Sequence, residues 1–197
     1  MKPDSTPDRL QAAAWAIVRS EGVAAATSRR VTEAAGANLA AITYHFGSKD
    51  ALIGAAVVEQ LRSWTAPLTQ ALATPEGDVS AHDAAVAGAV AGILQRFAID
   101  RADIDAIVTL VLTRPQLPGV RDATASWLAE LRSVATAAMV RQQAAGLVPA
   151  DVTPVAMAGV FTAFALGLVA QANIDPAAPD VATVVAEFLS LLVRPGR

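Results

Sequence analysis

Cysteine is missing from the chain. That single absence excludes disulfides, thiolate nucleophiles and cysteine-based zinc sites together. Histidine is almost as scarce: His45 and His82 stand far apart, and neither adjoins a cluster of carboxylates. They offer no Ser-His-Asp grouping and no metal-ligand spacing. A phosphate loop of the form G-x-x-x-x-G-K-[ST] is also lacking. Asp100, Asp103 and Asp105 read as the acidic start of a helix rather than as catalytic carboxylates. No catalytic residue, metal or cofactor is therefore expected, and an enzyme reading finds no residues to stand on. Glycine (12) and proline (11) recur at no fixed period, which excludes collagen-like and mucin-like chains. The opening MKPDSTPDRL has no apolar run of the secretory kind, so a cytoplasmic protein is expected.

Charge is thin as well: charged residues make up 17% of the chain, against 54% hydrophobic. Disorder needs the opposite balance. The 197 residues allow one large domain or two small ones. The formal net charge is −3. Residues 1–50 nevertheless hold six basic and five acidic residues, and the remainder nine and thirteen. A mildly basic head on an acidic body permits nucleic-acid binding at the head and does not demand it.

Strand-like alternation is hard to find, and helix-period patterns run from end to end. The fold class expected is all-α, with about nine helices. Thr6-Pro7 reads as a cap and first-turn proline, followed by an apolar stripe of Leu10, Ala13, Ala14, Ile17 and Val18, and a stop at Gly22. Thr27 or Ser28 can cap a short segment to Ala35, with Val31, Ala34 and Ala35 inward. Gly36 breaks it, Asn38 can cap a second short segment over 39–46, and Gly47 ends that one. Ser48 can cap a long helix, with Ala51, Leu52, Ala55, Val58 and Leu61 on its buried face, ending near Pro67 or Leu72. Further helices are expected at about 81–98, 102–113, 119–145, 154–173 and 180–193, with Gly146 ending the third of these.

Two short helices joined by Gly36-Ala37-Asn38 have the spacing of a helix-turn-helix. Ile42 and Phe46, four apart, give the second helix an inward face. Leu39, Ala40, Thr43 and Tyr44 lie opposite. Arg29, Arg30, Tyr44, His45, Ser48 and Lys49 could reach phosphates, and a major groove admits a helix. Spacing alone equally allows two surface helices with a solvated basic rim.

The stretch from Gly22 to Leu52, and above all Tyr44-His45-Phe46-Gly47-Ser48-Lys49-Asp50, resembles the DNA-binding domain of TetR/AcrR-type transcriptional regulators. The resemblance covers about the first 60 residues; beyond it only length and helical layout agree. It implies that Tyr44, His45 and Lys49 contact phosphates, that Ser28 and Arg29 contribute from the first of the paired helices, and that Leu39, Ala40 and Thr43 face bases. The sequence departs from the family at Leu39, where Lys or Pro is frequent, and at Thr43, where Tyr is frequent. The small apolar face that results hints at thymine methyl groups, and leaves Arg29 as the candidate for a guanine. The domains expected are a helix-turn-helix domain over 1–50 and a ligand-binding and dimerisation domain over 51–197.

A single such module makes too few contacts for a specific site, so a homodimer on a palindromic double-stranded operator is expected. From Val152 to Ile174 the chain carries no charge. A membrane span is disfavoured by Pro154, Gln171 and Asn173 within it and by Asp151 and Asp175 at its ends. A helix buried within one subunit and a helix buried between two both fit. Gly159, Ala163 and Gly167 recur every fourth residue, which favours close approach of a partner helix, and Val184 and Phe188 would extend that dimer interface. This agrees with the resemblance, which places the dimer on the last two helices.

The body would take a small, apolar effector. Its lining candidates are Trp64, Phe97, Leu110, Trp127, Met139, Phe161 and Phe164, each of which could equally be ordinary core. His82 reads as a surface or loop residue; Arg96 and Arg114, amid apolar runs, could meet an anionic ligand, though a salt bridge with a nearby Asp is the simpler reading. The function expected is that of a ligand-responsive regulator, a repressor released from its operator by the effector. The rival is a helical interaction module without DNA binding.

Overall fold

A computed structural model describes residues 5–74, 88–89, 92–93, 100–113, 117–175, 177–180, 183–185 and 187, without the side chains at 112, 113, 169, 172 and 173. Among the described residues every regular element is helical. They are α1 (Thr6–Glu21), a 3₁₀ turn (Val23–Ala25), α2 (Ser28–Ala35), α3 (Ala40–Phe46), α4 (Lys49–Ala73), α5 (Arg101–Val108) running into a π-helical segment (Thr109–Thr113), α6 (Pro118–Ala144) and α7 (Pro154–Ile174). The described residues at 88–89, 92–93 and 183–185 are helical too. The expected helices at 81–98 and 180–193 otherwise lie outside the described residues, as do Phe97, Phe188, His82, Arg96 and Arg114.

The chain forms two compact units. One comprises residues 1–64 and 100–130, the other 65–99 and 131–197. The core of the first gathers Leu10, Ala14, Val31, Leu52, Ile53, Val57, Leu110 and Val120, all of them buried. Helix α4 is buried on almost every side from Leu52 to Val58, which is more than the single stripe expected of it. The reason is a crossing with α6. A Cβ built on Gly54 would lie 2.2 Å from the Gly119 carbonyl oxygen, and one on Gly119 would lie 2.4 Å from the Asp50 carbonyl. The two backbones touch, and no side chain fits between them. Charge crosses this unit too: Arg19 of α1 reaches the buried Asp103 of α5 at 3.4 Å, and Arg62 of α4 holds Glu130 of α6 at 2.6 Å.

In the second unit, the Arg141 guanidinium of α6 donates to the Leu72 carbonyl, in the last turn of α4. Gln143 donates to the carbonyls of Pro149 and Val152, fixing the loop before α7. Gly146 ends α6 with φ +75, and Thr153 precedes Pro154 at the start of α7, as expected. Among the described residues, no helix is long and apolar enough to cross a membrane.

Two local expectations are corrected. The cap of α1 is Ser5, not Thr6: Ser5 and Asp8 bond reciprocally, and Pro7 stands one place deeper in the first turn, where no N–H is needed either. Ala34 is exposed, and Thr32 is buried instead, its hydroxyl donating to the Ser28 and Arg29 carbonyls. Of the two ends expected for α4, near Pro67 or Leu72, the second holds: the helix passes Pro67 and runs to Ala73.

Candidate nucleic-acid interface

The interface begins with a turn. Thr27 caps α2 by accepting from the Arg30 N–H, which settles the choice between Thr27 and Ser28. Helix α2 ends at Gly36, whose φ of 60 is left-handed, a conformation glycine adopts without strain. The chain reverses there. Asn38 accepts from the Ala41 N–H at 2.9 Å through its side chain and opens α3, with Leu39 already at helical dihedrals. Gly47, with φ 76, closes α3, and Ser48 caps α4 by accepting from the Ala51 N–H at 3.0 Å.

Helix α3 is thus held from one side only. Ile42 is 3% exposed, and Phe46 is half-buried beside it. On the other side Leu39 is 61% and Tyr44 84% exposed, with Ala40, Thr43 and His45 exposed around them. The Tyr44 and His45 rings meet edge to face at 4.8 Å. Water faces a leucine and a tyrosine on a helix of only seven residues. Lys49 is the first residue of α4, and a helix N-terminus is an end that suits a phosphate. Its ammonium lies 3.8 Å from the Asp50 carboxylate, a loose contact.

The other cations of this region have tasks of their own. Arg9 donates to the Ala35 carbonyl at the end of α2 and to the Thr6 hydroxyl. Arg30 forks onto Glu21 at 2.6 and 2.9 Å. Their hydrogen bonds hold the Glu21 carboxyl below its usual pKa and push the Arg30 guanidinium up. Arg30 thereby braces α1 against α2. Arg29 is 86% exposed on its side chain and pairs with Glu33 one turn on, which raises its pKa in the same way. Ser28, in the first turn of α2, is half-buried.

The structure brings Leu39, Ala40, Thr43, Tyr44, His45 and Lys49 onto α3 and the start of α4, with Ser28 and Arg29 on α2. The residues suggested for an effector divide between the units. Trp64, Leu110 and Trp127 are buried in the first, while Met139, Phe161 and Phe164 are half-buried in the second. Of the dimer candidates, Gly159, Gly167 and Val184 are half-buried and Ala163 is exposed. Arg19, Arg62 and the Gly54–Gly119 crossing had no local signal, since each partner is more than sixty residues away.

Capped α2, a left-handed glycine turn and a one-sided α3 define the helix-turn-helix class of DNA-binding domain. Residues 10–56 match the family model for bacterial regulatory proteins, tetR family. No curated protein sequence matches the chain. The fold of the whole chain is that of several solved structures. The multidrug binding protein EbrR, complexed with ethidium, is 23% identical with a TM-score of 0.68, covering 97% of this chain and 100% of that one. Reduced NemR from E. coli is 17% identical with a TM-score of 0.71, covering 98% and 100%. GusR from Salmonella enterica is 19% identical with a TM-score of 0.69, covering 99% and 98%.

Proposed function

We propose that this chain is a ligand-responsive transcription regulator, a repressor that binds a palindromic operator as a homodimer and leaves it when a small apolar molecule binds the body. The observation that carries the reading is α3, with Ile42 buried and Leu39 and Tyr44 offered to solvent. A seven-residue helix with that face out has the size and shape for a major groove, and its partners Ser28, Arg29, His45 and Lys49 flank it. The division of labour is a DNA-binding domain over 1–50 and an effector and dimer domain over 51–197, in the cytoplasm, without catalysis.

Two observations support the body's role. Among the described residues, and apart from the helix's own backbone, nothing lies within 4 Å of a Cβ placed on Gly159 or Gly167. None of the described residues demands glycine there, whereas a second α7 crossing closely would. Val155 and Val160 on the same helix are also exposed. For the effector, solved structures of the similar EbrR hold ethidium and proflavin, which are flat organic molecules. Candidates to line such a site are Trp64, Phe97, Leu110, Trp127, Phe161 and Phe164. The effector acts only through its differential affinity for the two conformations of the dimer.

Fluorescence anisotropy tests the reading, with the duplex upstream of the protein's own gene as probe. Tight binding at low salt, weakening steeply as salt rises, is expected. Lys49→Ala should weaken binding to all duplexes evenly and lower the salt slope by about one. Failure to bind any duplex at low salt overturns the reading. A changed sequence preference in Lys49→Ala removes the phosphate role.

A further inference from the structure

The face of α3 carries information about the DNA it reads. Guanine is read in the major groove by a bidentate Arg or Lys, and adenine by a bidentate Asn or Gln. Helix α3 (Ala40–Phe46) contains none of these four residue types. Of the neighbouring cations, Arg9 is held on Ala35 and Arg30 on Glu21, which leaves Arg29, in an exposed pair with Glu33, as the single nearby rival for a guanine contact. Asn38 has its side-chain oxygen on the Ala41 N–H, so the oxygen needed for a bidentate adenine contact already has a partner. At the N-terminal end of α3, the end that reaches base edges in this class, stand the Leu39 isobutyl, the Ala40 methyl and, one turn on, the Thr43 methyl, all exposed. One base presents an apolar group in the major groove: thymine, through its C5 methyl.

We infer that, granted the DNA-binding reading above, this protein recognises its half-site chiefly through thymine methyl groups packed against Leu39, Ala40 and Thr43, rather than through hydrogen bonds to guanine. Leu39 is the specificity-determining residue. Being 61% exposed in the unbound protein, it loses apolar area to water only when DNA covers it. Tyr44, His45 and Lys49 supply sequence-independent affinity around that apolar centre.

Uracil differs from thymine only by the missing methyl, so the test is chemical. The full-length protein selects its site from a random duplex pool. Affinities are then measured on that site with each thymine replaced singly by deoxyuridine, for the wild type and for Leu39→Ala. One or two thymines in each half-site should lose about fourfold on replacement, the value of one buried methyl group. In Leu39→Ala at least one of those losses should vanish, with the unfolding midpoint unchanged. Tight binding that ignores uracil at every position overturns the inference while leaving DNA binding intact. A selected site fixed by guanines whose preference disappears in Arg29→Ala overturns it equally. If no duplex is selected, the proposed function fails and this inference with it.

Discussion

Adding one methyl group at Gly54 should destabilise the protein, although alanine is the better helix former. Alanine in place of glycine inside a helix is worth about 1 kcal/mol in propensity. Against that stands the crossing: the new Cβ would lie 2.2 Å from the Gly119 oxygen, 2.6 Å from its carbonyl carbon and 3.1 Å from the Val120 nitrogen. All three atoms are backbone, so no rotamer change relieves the overlap, and the start of α6 must move by about an ångström. Overpacking of this kind costs about 1–3 kcal/mol, and rigid neighbours place it at the upper end. The net loss is then about 2 kcal/mol, which in a chain of this size lowers Tm by roughly 4–8 °C. Thermal unfolding followed by circular dichroism reads it directly. Gly119→Ala should act in the same direction, since its Cβ would meet Asp50 and Ala51 backbone at 2.4–2.5 Å. The double variant should lose less than the sum, because separating the helices once relieves both overlaps. The crossing adjoins Lys49, so DNA affinity should fall with stability in Gly54→Ala. A rise in Tm for Gly54→Ala would refute the close approach of the two backbones.

Other perturbations probe other links. Ala163→Asp or Gly167→Asp places charge on the proposed partner face of α7; multi-angle light scattering should show monomers, and binding to a two-half-site operator should be lost, while unchanged mass removes that assignment. Arg19→Met leaves the Asp103 carboxylate, 7% exposed on its side chain, without its cation. A loss of about 1–2 kcal/mol in urea unfolding is expected, moderated because Arg19 is itself half-exposed, and Asp103→Asn should recover part of it in the double variant. The Glu21 carboxyl, lowered by its bonds from Arg30, adds stability above the pKa of the unfolded glutamate, about 4.3, and that stability drains away as pH falls through the folded value. Wild type and Glu21→Gln should therefore differ by a constant amount in Tm above pH 5 and converge below pH 4; a gap that widens in acid contradicts the sign.

The parts of this structure written in neighbouring residues were legible without coordinates. The caps at Thr27, Asn38 and Ser48 act on N–H groups three positions ahead, and the stops at Gly22, Gly36, Gly47 and Gly146 are single residues. Fold class, the paired helices of the DNA-binding domain and the exposed face of α3 all follow from such signals. Pro67 shows where they leave a choice open, since an end near Leu72 is allowed as well. A proline should end a helix by removing one N–H, yet α4 continues because Trp64 is buried one turn before it and Arg141 bonds the Leu72 carbonyl one turn after it. Neither partner is visible in a local window. The same holds for Asp103. In sequence it is one of three acids opening a helix, and it does lie in the first turn of α5, but its burial is explained only by Arg19, 84 residues earlier. Gly54 and Gly119 each read as a weak point in a helix. Only together do they read as a contact.

Helix α3 shows why recognition can change while the scaffold stays. Seven residues are too few to hold a helix in water, where about 12–15 are marginal. Its stability therefore comes from outside: the Asn38 cap, the Gly47 stop, and Ile42 set into the core. None of these touches DNA in the reading above. Conversely Leu39, Ala40, Thr43 and Tyr44 contribute little to folding, because they stand in water in the unbound protein. Substitutions at Leu39, Ala40 or Thr43 are consequently expected to move operator preference at nearly constant Tm, and substitution of Tyr44 to weaken binding to every duplex at nearly constant Tm. Substitutions at Asn38, Ile42 or Gly47 should lower Tm and weaken binding to every duplex alike. A Leu39 variant that melted early, or an Ile42→Ala variant that kept its stability but changed its preferred site, would show that the two tasks are not divided between the faces of α3.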